Sequence, residues 1–217
     1  LLQNGLVPAK ENMVFMISNG TAAAGLRAAN NYFISGIATI APQSVATIIT
    51  STLVLDATKQ PGFAGTPIIE LNGTNAGNSN GMVFYTASNS VVRGFVVNRF
   101  VYAGISLGIS TNNCVIAGNY SGTNAAGTAA LPNGYHGVSV DGGSNNNVIG
   151  GTTAADRNAI SGNGAGGAPV GGGSTGNMII GNYLGTKASR TTARASLSGV
   201  YLYNNSSNTT VGGTAPG

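Results

Sequence analysis

The chain has 217 residues, 35 of them glycine, with no tryptophan; only 6% of residues are charged and 42% are hydrophobic. That apolar share is too high for a disordered chain, which lacks the surface to offset its ordering entropy, so the residues predict a core built from many small elements. Nine basic residues against five acidic give a net charge of +4, but no two cations are adjacent; the clustered cations that displace phosphate counterions are missing, and no nucleic-acid partner is expected.

The N-terminal residues Leu1-Leu2-Gln3-Asn4-Gly5 show no basic region followed by an apolar stretch, and the chain lacks an initiator methionine, so it reads as a mature or excised piece. No run approaches the roughly 20 apolar residues of a membrane span, and membrane insertion is not expected. Residues 1–34 are read as a first turn or cap, with Val14-Phe15-Met16-Ile17 as its strand. From residue 81 the pattern becomes periodic. Gly81-Met82-Val83-Phe84 opens a Gly-apolar-x-apolar series that returns at Gly104-Ile105-Ser106-Leu107, Gly137-Val138-Ser139-Val140, Gly167-Ala168-Pro169-Val170 and Gly199-Val200-Tyr201-Leu202. Successive leading glycines are 23, 33, 30 and 32 residues apart. Twelve residues after each of the last four comes an aliphatic residue (Ile116, Ile149, Ile179, Val211), and glycine follows two positions later.

A fixed half and a variable half imply a turn of about 23 residues into which loops are inserted at one edge. Strands of three to five residues are too short to form an independent sheet. Stacked about 4.8 Å apart, each can pair with its counterpart in the turns above and below. The expected fold is therefore all-β, a right-handed parallel β-helix (solenoid) forming one domain over 1–217, with repeat-like turns at about 81–217. Alternate side chains such as Ile105 and Leu107 fill its core. Glycine and asparagine occupy corners with left-handed backbone, and Asn113, Asn146 and Asn208 are expected to form an amide ladder. No window keeps a helical period for three turns.

Three stretches carry a family resemblance: Thr58 to Leu71, Val92 to Phe100, and Gly122 to Leu131. They resemble the pectate-lyase-like right-handed β-helix repeats of large secreted bacterial surface proteins, over roughly residues 35–217. The resemblance implies an extracellular or cell-surface location and a group that includes adhesins and stalks; an enzyme of such a fold would cluster its carboxylates. Here the acids are Glu11, Asp56, Glu70, Asp141 and Asp156, and the positions equivalent to Asp141 in neighbouring turns are Gly108, Gly171 and Tyr203. Each acid is read as structural or solvated, with no catalytic residue, metal site or cofactor expected.

Cys114, the single cysteine, is read as a buried inert thiol, His136 as a surface-loop residue, and Gly171–Gly176 as a corner rather than a phosphate cradle, because the Lys-Ser/Thr ending and following helix are missing. The long loops at 121–136 and 185–198 leave equivalent strands and should project from one side. Their neighbourhood supplies the candidate contacts for a glycan or protein partner: Tyr120, Tyr183, Lys187, Arg190, Arg194, Tyr201 and Tyr203. Because Val211-Gly212-Gly213 parallels a segment that continues elsewhere in the repeat, more chain or a second copy is expected beyond it, with Thr210, Val211 and Gly212 near a junction. The functional expectation is a non-enzymatic structural or adhesive module of a secreted or cell-surface protein, self-associating end to end into a filament. The alternative is a fragment of a polysaccharide-active lyase or hydrolase, or a carbohydrate-binding module.

Overall fold

The computed structural model describes residues 11–14 (backbone), 16–20, 31–189, 192, 193 and 195–213. The protein is all-β and its strands are almost all parallel. A first sheet of seven strands runs, in spatial and chain order alike, through Glu11–Val14, Leu53–Asp56, Val91–Arg93, Val115–Ala117, Val148–Gly150, Met178–Ile180 and Thr210–Val211. A second contains Ile37–Ile40, Ile69–Asn72, Phe95–Asn98, Tyr120–Ser121, Ala159–Ile160 and Tyr183–Leu184, with Phe33–Ile34 folded antiparallel on its edge. A third contains Ile48–Ile49, Met82–Tyr85, Ile105–Gly108 and Val138–Val140, and single bridges from Val140 to Val170 and from Val170 to Leu202 carry it onward. The chain visits first, second and third sheet in that cyclic order throughout, so each sheet gains one strand or bridge per circuit.

The expected aliphatic file is present. Ile116 pairs with Ile149, Ile149 with Ile179 and Ile179 with Val211, and the file extends upstream through Val92 to Leu55. Inward residues of all three sheets, among them Ile116, Phe95 and Leu107, belong to one buried cluster. Alternation explains this: with side chains pointing to opposite faces at period two, Ile105 and Leu107 face inward while Ser106 between them faces out.

Four expectations are corrected. The first strand is Glu11–Val14; Met16 and Ile17 follow it without strand pairing, and Phe15 lies outside the described residues. The repeat-like turns begin before residue 81, because Leu53–Asp56 and Ile69–Asn72 already pair in register; on the third sheet the early strand Ile48–Ile49 lacks the leading glycine that marks the later ones. The extra residues are inserted at two corners, not one. Loops 121–136 and 185–198 leave the second sheet, whereas 151–158 leaves the first, which is why the circuit containing it spans 30 residues between Val140 and Val170 with no insertion after Ile160.

The fourth concerns the asparagines. Asn113, Asn146 and Asn208 have φ of 57°, 56° and 50°, and Gly176 (φ 67°) takes the same corner. They are the left-handed corner residues, tolerated because a short polar side chain suffers less there than a branched one. The ladder lies one residue on. Asn147 Oδ1 accepts from Cys114 N–H (2.8 Å), Asn177 Oδ1 accepts from Asn147 N–H (2.9 Å), and the Asn147 Nδ2 donates to Thr111 O (2.9 Å) and Asn177 Oδ1 (3.1 Å). A second ladder runs through Asn119, Asn158 and Asn182, and a third through Asn133 and Asn163. Corners leave backbone groups unpaired by any strand, and these buried amides satisfy them. Cys114 is fully buried. The leading glycines from Gly81 to Gly167 serve space rather than left-handed backbone: a Cβ on Gly137 would lie 2.2 Å from Ile160 Cγ2.

Candidate functional site

The candidate contact tyrosines fall on two different sheets. On the outer face of the second, register places Val96, Tyr120, Ala159 and Tyr183 in one column, so Tyr120 and Tyr183 flank an alanine at two circuits' separation. The 151–158 insertion contains a single 3-10 turn, Ala154–Asp156, and delivers Arg157 beside this column. The Arg157 guanidinium carbon sits 4.3 Å from the Tyr183 ring centroid, its Nε donates to Gly181 O (3.1 Å), and its Nη1 donates to the Tyr183 hydroxyl. Arg93, projecting from the first sheet, pairs with Asp156, whose other oxygen accepts from Thr153 Oγ1 at 2.6 Å. Burial opposes ionisation of Asp156, but the Thr153 hydrogen bond and the Arg93 charge outweigh it and hold this carboxyl below its usual range. Burial pushes the Tyr120 hydroxyl up, against a hydrogen bond to Thr66.

Together these elements enclose a cleft of about 440 Å³, lined by Thr58, Phe63, Arg93, Tyr120, Arg157 and Tyr183 among others. Loops 121–136 and 185–198 each close through an antiparallel bridge (Thr123 with Ala130, Thr186 with Ala193) and touch where Ala188 N–H donates to Gly127 O at 3.1 Å. Lys187 stands on the second of these loops, its N–H donating to Thr192 O (2.8 Å); Arg190 and Arg194 lie outside the described residues.

Tyr201 and Tyr203 belong to the outer face of the third sheet, where a row of rings crosses several circuits. Ring centroids are 5.8 Å apart for Tyr102–Tyr135, 5.9 Å for Tyr135–His136, 5.9 Å for His136–Tyr201 and 5.4 Å for Tyr201–Tyr203. Glycines make the row possible. Tyr203 lies across Gly171, where a Cβ would come within 2.2 Å of the ring, and donates to Asp141 Oδ2 at 2.6 Å. Tyr201 lies across Gly166 in the same manner, its hydroxyl 3.3 Å from His136 Nε2. Burial, then the Asp141 hydrogen bond and charge, push the Tyr203 hydroxyl well above its ordinary value, and burial raises Tyr201 as well. Burial lowers His136, against the pull of Asp141, and its Nδ1 is buried with no hydrogen-bond partner among the described residues. His136 is therefore a half-buried member of this row rather than a free loop side chain.

Thr210 and Val211 form the last described strand of the first sheet, with Val211 below Ile179 and 53% exposed; Gly212 N–H donates to Ile179 O. Nothing in the sequence marks Arg157 as a site residue, because the insertion carrying it leaves a different corner from the two long loops, and nothing marks Tyr102, because its ring partner Tyr135 is 33 residues away. Among the described residues no three His, Cys, Asp or Glu side chains gather to hold a metal ion, and no helix is long and apolar enough to cross a membrane. No family model, no curated protein and no solved structure matches the chain.

Proposed function

We propose that the three sheets are the walls of one right-handed parallel β-helix, and that it serves as a non-enzymatic structural and adhesive module of a secreted or cell-surface protein. The cyclic visiting order and the shared core support the coil, and the right-handed preference of parallel crossovers, about 98%, supports its hand. The observation that carries the structural role is the joining of successive circuits by parallel backbone pairing throughout, reinforced by a buried aliphatic file from Leu55 to Ile179 and, between Val92 and Asn182, by asparagine ladders at the corners. Such a body resists bending and presents its outer faces in a fixed register. The extracellular placement rests on the resemblance to surface β-helix repeats.

A double variant tests the coil. Ser106 and Ser139 are register partners on the outer face of the third sheet, about 4.8 Å apart and so within disulfide range. Ser106→Cys/Ser139→Cys should oxidise to an intrachain disulfide in high yield; a reduced pair under oxidising conditions overturns the stacking. Turnover of any polymer in a panel of polysaccharides overturns the non-enzymatic role.

A second reading, contact with a neutral glycan, is favoured by the ring row from Tyr102 to Tyr203. Tyrosine supplies an apolar face and a hydroxyl at low entropic cost, which suits sugar rings. Retention on a glycan array that falls with Tyr201→Ala supports it; equal retention refutes it.

A further inference from the structure

We propose that the cleft between Tyr120 and Tyr183 binds a small monocarboxylate carried on a single ring, with Arg157 receiving the carboxylate. This site is on the second sheet, apart from the ring row, and requires neither reading above to hold. Its hollow arises from one residue: Ala159 separates two tyrosines in the same outward column, and each step of the column is about 4.8 Å. The insertion bearing Arg157 walls one side, and Phe63 and Thr58 line the cleft with it. The volume of about 440 Å³ falls in the range of small-molecule pockets, roughly 300–1,000 Å³.

Charge selects the ligand. Among the described residues two guanidiniums line the cleft and no carboxylate does. Arg93 is already matched by Asp156. Arg157 is not: its partners are a carbonyl oxygen, a phenol hydroxyl and the Tyr183 ring, all neutral. A guanidinium has five N–H donors in a planar fork, and Arg157 Nη2 has no partner among the described residues. The stack on Tyr183 and the Gly181 hydrogen bond hold that fork in place before any ligand arrives, so little rotamer entropy remains to be lost. One unmatched, pre-oriented cation suits one carboxylate, taken in bidentate fashion. The Tyr120 and Phe63 rings provide apolar faces for the ring bearing it, and the Thr58 hydroxyl a polar contact at the wall.

An aromatic acid and an acidic sugar share this chemistry, and the test separates them. The protein is titrated by NMR with 4-hydroxybenzoate and with glucuronate, each against its neutral counterpart, 4-hydroxybenzamide and glucose. At least one carboxylate should bind saturably, at least tenfold more tightly than its counterpart, with intermolecular contacts to Tyr120 or Phe63 resonances; which one binds names the source. Arg157→Gln should weaken that binding at least tenfold, and Phe63→Ala, which leaves the Arg157 contacts in place, should weaken it with the native spectrum retained. The proposal is overturned if neither carboxylate saturates, if neutral and charged forms bind alike, if the contacts in the unaltered protein map elsewhere, or if a natively folded Arg157→Gln binds as before.

Discussion

Replacing Asn147 with alanine tests whether the corner amides hold the circuits together. The side chain is fully buried. Its loss deprives Cys114 N–H of the oxygen 2.8 Å away and Thr111 O of a donor at 2.9 Å, while Asn177 Oδ1 keeps the Asn147 N–H. Two buried backbone groups lose these hydrogen bonds, at about 1–3 kcal/mol each. The expected destabilisation is therefore about 2–6 kcal/mol, and a cost near 3 kcal/mol lowers the melting temperature by roughly 6–12 °C in a chain of this size. Asn146→Gly is the matched control. Asn146 is exposed, and its φ of 56° suits glycine, so that change should stay within about 0.5 kcal/mol. Both are read by equilibrium urea unfolding and by thermal denaturation, with hydrogen exchange at Cys114 N–H as a local probe. An Asn147→Ala protein within about 0.5 kcal/mol of the parent, or an Asn146→Gly protein that loses more, refutes the assignment of the ladder.

Ile149→Ala opens a cavity in the middle of the aliphatic file and should cost about 2–5 kcal/mol by urea unfolding; a loss under about 1 kcal/mol would mean the file is not close-packed. Gly171→Ala puts a methyl group where the Tyr203 ring lies, so the Tyr203–Asp141 hydrogen bond should break and the ultraviolet tyrosinate titration should lose its most alkaline component. Asp141→Asn should move that component down toward the ordinary tyrosine value. Because the folded Tyr203 pKa is raised above the unfolded value near 10, its contribution to stability is complete below about pH 10 and disappears as pH rises further; Asp141→Asn should flatten that alkaline loss. Asp156 behaves in the opposite sense. Its folded pKa is lowered, so its contribution is present above about pH 4 and is lost on acidification, and an Asp156→Asn protein should show a shallower acid limb in thermal scans.

What was legible in the sequence was whatever repeats at a constant offset. Gly137, Ile149 and their equivalents from Gly81 to Ile179 recur because each occupies the same point of its circuit, one too crowded for a Cβ, the other filling the core. A shared environment imposes a shared residue type, and periodicity exposes it. The constant offset does not reach the circuits before residue 81, where Ile48–Ile49 holds the third-sheet position with no leading glycine and Leu53–Asp56 and Ile69–Asn72 meet the same core with different residues.

The tyrosine sites stayed hidden for a different reason. Equivalence along the chain identifies residues in one column, such as Tyr120 and Tyr183, but says nothing of what an insertion at another corner folds over them. Arg157 reaches Tyr183 across 26 residues, and Tyr203 reaches Asp141 across 62. The linear pattern by itself determined the period, the inward file and the crowded positions, since these depend on short-range alternation and on repeated surroundings. Tertiary structure alone decided which corner each insertion leaves, which asparagines bridge the circuits and which rings meet, because those contacts depend on side chains placed together by stacking and not by their order in the chain.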